Sequence, residues 1–220
     1  GPGMSDQVVL LHGLGRSCAS VARLQSGLEE MGFAALCWSY PSRRRRLAGH
    51  IEAFREWLRR QAFAGPVHFV GHSLGGIIIR GALADTPPVA IGRIVMIASP
   101  NQGAGVVSRF GRWPFSRAIF GLPLQDLGEK SPALMSLGVP EAEIGIIAGL
   151  RHFHPLNAIS YVNLFPRAGH QHDGTVELAN TQLEGATDSI AIDAHHTFIC
   201  DHDEVIAQTG AFLRNGQFSR

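Results

Sequence analysis

Short uninterrupted apolar runs alternate with amphipathic helical stretches along most of the chain, and this alternation limits the possible folds more than any other feature. Residues 8–11 are an unbroken apolar run, as expected of a strand buried on both faces. The stretch 17–31 follows, with Val21, Leu24, Leu28 and Met31 at helical spacing and Gly32 placed to stop it. Residues 33–38 read as a second strand. Leu47, Ile51, Phe54 and Leu58 mark a second helix, closed off by Gly65-Pro66. A third strand at 67–70 gives way almost without a loop to a helix over 74–84. Residues 93–98, 144–148 and 189–192 read as strands four to six, and 203–213 as a closing helix. Strands that alternate with helices build parallel βαβ units. The expected fold is therefore α/β, a mostly parallel central sheet of about six strands flanked by helices.

Composition excludes several classes. A chain of 220 residues that is 45% hydrophobic and 17% charged is too apolar for disorder and long enough to bury one large core. Lys and Arg number 19 against 18 Asp and Glu, so nothing in the charge calls for a nucleic-acid partner. Residues 61–79 lack any charged side chain, but Gly65, Pro66, His68, His72, Ser73, Gly75 and Gly76 interrupt them. They read as strand, turn and helix start rather than a membrane span. Gly1-Pro2-Gly3 ahead of Met4 reads as an expression scar, which leaves 4–220 as a single domain. No N-terminal stretch has the pattern of a secretory leader, so a cytoplasmic location is expected. Cys18, Cys37 and Cys200 are odd in number and far apart, and the expectation is buried free thiols rather than disulfides.

Two segments break the alternation. Residues 103–138 carry Phe110, Trp113, Phe115 and Phe120 among Arg109, Arg112 and Arg117, and residues 151–175 are long and His-rich. Connections of this length often serve as lids or site loops, although the first also reads as an ordinary helical crossover.

The strongest chemical signal is Gly71-His72-Ser73-Leu74-Gly75, a G-x-S-x-G motif between an apolar strand and an immediate helix. So sharp a turn forces the Ser73 side chain outward, and a Cβ at Gly71 or Gly75 would clash across it. The helix that follows aims its N-terminus and free N–H groups at the site, where a developing oxyanion is favoured. A serine hydroxyl needs a base, and the base needs a carboxylate to orient it. Ala194-His195-His196-Thr197-Phe198 follows the last strand, and His172-Asp173-Gly174 lies upstream, giving the order Ser73, Asp173, His196. Adjacent residues point in different directions, so only one of His195 and His196 can face Ser73. Asp188 is a competitor for the acid but precedes a strand, at the wrong end of the sheet. Asp193, Asp201 and Asp203 stand too close to the histidine in sequence. Acyl transfer also needs two N–H groups on the oxyanion. Leu74 follows the nucleophile, and Leu11-His12-Gly13-Leu14-Gly15 ends the first strand in a sharp turn where Leu14 N–H can face inward.

Taken together, Leu11-His12-Gly13, Gly71-His72-Ser73-Leu74-Gly75-Gly76, Asp173-Gly174 and His196-Thr197-Phe198 resemble the α/β-hydrolase superfamily. More narrowly they resemble its small bacterial lipase/esterase-like members with a minimal or absent cap domain. The resemblance runs from about Gln7 to Phe212. It implies Ser73 as nucleophile, Asp173 as acid and His196, rather than His195, as base, with no cofactor. Pro100-Asn101-Gln102-Gly103 resembles the Pro-x-x-Gly stretch that lines the acyl site in such proteins.

Residues 43–46 are four consecutive arginines, either a contact for phosphate or anionic lipid or simply a solvated helix start. His152, His154, His170 and His172 with Asp173 match no zinc spacing, and no metal is expected. Phe110, Trp113, Phe115 and Phe120 form either an apolar flap over the acyl site, with 103–138 a lid-like insertion, or part of the core. The expected activity is hydrolysis of medium or long acyl esters or lipid-like esters, with transient contact at lipid interfaces. An acyltransferase would share every catalytic residue, and a non-catalytic lipid- or partner-binding protein of this fold is the reading from a different class.

Overall fold

In a computed structural model of the chain, residues 5–103, 121–150, 178–194 and 198–220 are described. Gln7–Leu11 forms β1, Ala34–Trp38 β2, Val67–His72 β3, Ile91–Ile97 β4, Ile144–Gly149 β5 and Asp188–Ile192 β6. The helices are α1 (Ala22–Glu30), α2 (Leu47–Arg59), α3 (Leu74–Leu83), α4 (Pro132–Met135), α5 (Leu178–Thr181) and α6 (Asp203–Asn215). The expected elements all appear, with ends shifted by a residue or two. The first helical stretch is divided, because a 3-10 helix at Cys18–Val21 precedes α1.

All neighbouring strands are parallel, in the order β2-β1-β3-β4-β5-β6. Strand alternation sends Val9, Leu11, Phe69, Ile94, Met96 and Ile146 to one face, where α2 and α3 pack through Phe54, Leu58, Ile77 and Ile78. Val8, Leu10, Val70, Val95, Ile97 and Ile147 face the other side, against Leu24 and Leu28 of α1 and Val205, Phe212 and Leu213 of α6. Both faces are covered, which is why the strands read as solid apolar runs instead of alternating ones. From β1 the chain crosses one face to β2, then returns across the other to β3. The crevice beyond the carboxyl ends of β1 and β3 is therefore the topological switch point, where ligands bind in open α/β sheets.

The cysteine expectation is overturned in part. Cys18 and Cys37 form a disulfide, their Cα atoms 6.0 Å apart across a sequence separation of 19. Because β2 lies parallel beside β1, the chain just after β1 comes back against β2, and two distant thiols meet. Cys200 is free and buried, as expected.

Of the lid-like segment, only Gly103 and 121–138 are described. Leu127 and Leu134 there belong to the same core cluster as the buried residues of α2 and α3. The segment's base is closed by Lys130 N–H donating to Gln102 O at 3.0 Å. Phe110, Trp113, Phe115 and Phe120 lie outside the described residues. No helix among the described residues is long and apolar enough to cross a membrane.

Candidate active site

The sharpest feature at the switch point is the turn from β3 into α3. Ser73 has φ +52° and ψ −120°, a left-handed conformation that a side chain adopts only under strong constraint. The constraint is visible in the flanking glycines. A Cβ on Gly71 would lie 2.4 Å from Gly76 N, and one on Gly75 would lie 2.5 Å from Leu11 O and 2.8 Å from His12 O. These neighbours are backbone atoms with nowhere to move. Ser73 N–H donates to Ile97 O at 2.9 Å, tying the turn to the end of β4. Leu74 opens α3, so its N–H is one of the helix's uncommitted N-terminal donors.

The loop after β1 lies directly against this turn. A Cβ on Gly13 would be 3.4 Å from Ser73 Cβ and 3.2 Å from His72 Nδ1, so the Gly13-Leu14 backbone and the nucleophile turn share one crevice. A buried scaffold fixes the loop. His12 is fully buried, its Nδ1 donates to Gly13 O at 2.9 Å, and its Nε2 accepts the Tyr40 N–H at 3.4 Å. Its ring stacks on Tyr40 at 4.3 Å, and Tyr40 OH donates to His12 O at 2.7 Å. Burial holds His12 below the usual histidine pKa, so its role is that of a neutral structural hydrogen-bonder. Gly15 N–H donates to Ser42 Oγ at 2.8 Å, and His50 Nε2 donates to Ser42 O at 2.8 Å.

The loop from Pro100 to Gly103 follows the carboxyl end of β4, the strand paired with β3. Arg80 of α3 is buried and donates to Asn101 O, Leu137 O and Gly138 O at 3.2, 3.0 and 2.9 Å. It bonds carbonyls and, among the described residues, meets no carboxylate, and burial lowers its pKa. Sequence reasoning passed over Arg80, although a lone cation after Ile77-Ile78-Ile79 was a visible signal. It also passed over Tyr40, Ser42 and His50, whose relation to the loop depends on strand pairing and not on any motif.

Asp173, His195 and His196 lie outside the described residues, as does the His-rich segment 151–175. Asp188 begins β6, at the opposite end of the sheet from Ser73. Burial works to raise its pKa, but the Phe218 N–H, the Arg220 guanidinium and the Ser189 N–H outweigh that and hold the carboxyl below its ordinary range. Its partners are thus those of a structural clasp. Asp203 is exposed and pairs with Arg23. Among the described residues no cluster of His, Cys, Asp and Glu could hold a metal.

A match to the alpha/beta hydrolase family spans residues 8–216. Among solved structures, the mature form of a Bacillus licheniformis lipase superimposes with a TM-score of 0.81 at 18% identity, covering 96% of this chain and 93% of that one. A metagenomic carboxyl esterase gives 0.66 at 19% identity, with 88% and 65% covered. A Legionella pneumophila phospholipase gives 0.60 at 18% identity, with 81% and 44% covered. At such identities the likeness speaks for the fold. No curated protein matches the chain.

Proposed function

This chain belongs to the α/β-hydrolase family, and from that premise we propose that it is a serine carboxylic-ester hydrolase working through an acyl-enzyme. The observation that carries the reading is the left-handed Ser73 turn at the head of α3, with the Gly13-Leu14 loop pressed against it at the switch point. Acyl transfer requires a presented hydroxyl with backbone N–H donors beside it, and the closeness of this turn and this loop supports that reading. The lipase and esterase folds that superimpose on the chain support the same class.

In the proposed cycle Ser73 Oγ attacks the ester carbonyl carbon while His196 takes the hydroxyl proton. Asp173 orients the imidazole and stabilises its charged form. Leu74 and Leu14 N–H groups hold the tetrahedral oxyanion. Its collapse breaks the carbon–oxygen bond to the alcohol, which departs with the proton from His196. Water then gives a proton to His196, attacks the acyl carbon and releases the acid, and the proton returns to Ser73. Apolar acyl chains of medium or greater length are the proposed substrates, with Phe110, Trp113, Phe115 and Phe120 contributing to their binding.

The test is hydrolysis of p-nitrophenyl esters from acetyl to palmitoyl by the wild type, Ser73→Ala, His195→Ala and His196→Ala. The reading expects activity to vanish in Ser73→Ala and His196→Ala and largely to survive in His195→Ala. Loss in His195→Ala alone would transfer the base to that residue. No turnover of any ester would favour a binding protein.

A further inference from the structure

The four arginines between β2 and α2 have different fates. Arg46 donates through Nε and Nη2 to the buried Asp126 at 3.2 and 2.5 Å, which makes it structural and not merely solvated. Arg43 and Arg44 instead join Arg16, Gly15, Tyr40, Pro41 and Ser42 around a cavity of about 250 Å³. No acidic residue lines it, and among the described residues no carboxylate pairs with Arg16 or Arg44. The chain's formal charge is only +1, so this concentration of cations is local.

The walls are already built. Ser42 is buried, its Oγ takes the Gly15 N–H and its carbonyl takes His50 Nε2. Arg44 N–H donates to Pro41 O and Leu122 N–H to Arg43 O, each at 2.9 Å. With the backbone satisfied in this way, the guanidiniums of Arg16 and Arg44 are left to meet a ligand. The cavity also adjoins the chemistry: Gly15 is two residues from Gly13, within about 7 Å along the chain, and Gly13 lies against Ser73.

We propose that this cavity holds a phosphate group carried by the ester substrate, a short distance from the scissile carbonyl. The proposal rests on the hydrolase reading and narrows its substrate class. Guanidinium forks match phosphate oxygens, and the two guanidiniums of Arg16 and Arg44 at one small cavity suit a group with up to two charges better than a single carboxylate. The polar lining and small volume suit a headgroup and not an acyl chain.

The test compares kcat/KM for 1-butyryl-glycerol 3-phosphate and 1-butyryl-glycerol, both as dissolved monomers so that no lipid interface takes part. The wild type favours the phosphorylated ester, and Arg16→Gln with Arg44→Gln lowers that preference about tenfold. Arg45→Gln, in the same run but outside the cavity lining, leaves it in place. An unchanged ratio in the double variant overturns the proposal. An equal loss in Arg45→Gln also overturns it, assigning the preference to surface charge. Binding to phosphatidylglycerol vesicles that falls equally for Arg44→Gln and Arg45→Gln, with no effect on the monomeric esters, would move the arginines to an anionic interface. Calorimetric titration with glycerol 3-phosphate and with inorganic phosphate reads the cavity without turnover. Binding lost in the double variant while neither ester is hydrolysed would keep the cavity and sink the hydrolase reading. Hydrolysis of the neutral ester without phosphate binding would do the reverse.

Discussion

Breaking the Cys18–Cys37 bond releases a cross-link across a sequence separation of 19, and the cost can be worked from that number. In the chain-entropy account, a loop of this size removes about 11 cal/mol/K from the unfolded ensemble, or about 3 kcal/mol at 25 °C. For a chain of this length that lowers Tm by about 6–12 °C. Both cysteines are half-buried, so a small reductant reaches them in the folded state. Cytosolic reductants would keep the bond open, so the gain applies only where the chain meets an oxidising compartment. Thermal unfolding followed by circular dichroism, with and without reductant and in Cys18→Ser/Cys37→Ser, measures the shift. Thiol titration of the unreduced, denatured chain counts one thiol, from Cys200, and reduction raises the count to three. Three thiols before reduction, or a Tm that ignores both reductant and substitution, would refute the reasoning and restore the free-thiol expectation.

Asp126→Ala removes the carboxylate that accepts Leu47 N–H at 3.0 Å at the start of α2, in addition to the Arg46 bond. Urea unfolding should show a loss of about 1–2 kcal/mol, as for an N-cap, with Asp126→Asn losing less; wild-type stability in both would exclude the capping role. Gly75→Ala places a methyl group against Leu11 O and His12 O and displaces the loop beside Ser73. Its turnover of p-nitrophenyl butyrate should drop by about 10²-fold, the scale of a lost oxyanion donor, and near-wild-type activity would contradict the close packing. Burial holds His12, His50 and His68 below the usual histidine pKa of about 6.5, so the folded chain binds fewer protons than the unfolded one beneath that pH. Stability is then full above about 6.5 and declines as pH falls toward the folded-state values; unfolding free energies that stay flat from about pH 7.5 to about pH 5 would count against this.

The sheet was legible because a parallel strand buried on both faces is nearly continuously apolar, and the short runs at 8–11, 144–148 and, but for His68, 67–70 fit such strands. The Ser73 turn was legible for a local reason too, since Gly71 and Gly75 are demanded by atoms a few residues away or on the adjoining strand. What escaped depends on contacts that no short stretch contains. Cys18 meets Cys37 only because β2 pairs with β1, and Asp126 reaches Arg46 across 80 residues of chain. The division of the arginine run is of the same kind: one composition holds a structural cation at Arg46 and cavity-lining ones at Arg43 and Arg44. Asp173 and His196 were legible from motif order together with the resemblance to the α/β-hydrolases.

Covalent labelling tests the central claim most directly. Wild-type protein and Ser73→Ala are incubated with a fluorophosphonate, and the intact masses and modified peptide are read by mass spectrometry. An activated Ser73 displaces fluoride and gains one phosphonyl group on the peptide that contains it, while Ser73→Ala gains none. An unlabelled wild type, or equal labelling of both proteins, would contradict the assignment of Ser73 as the nucleophile.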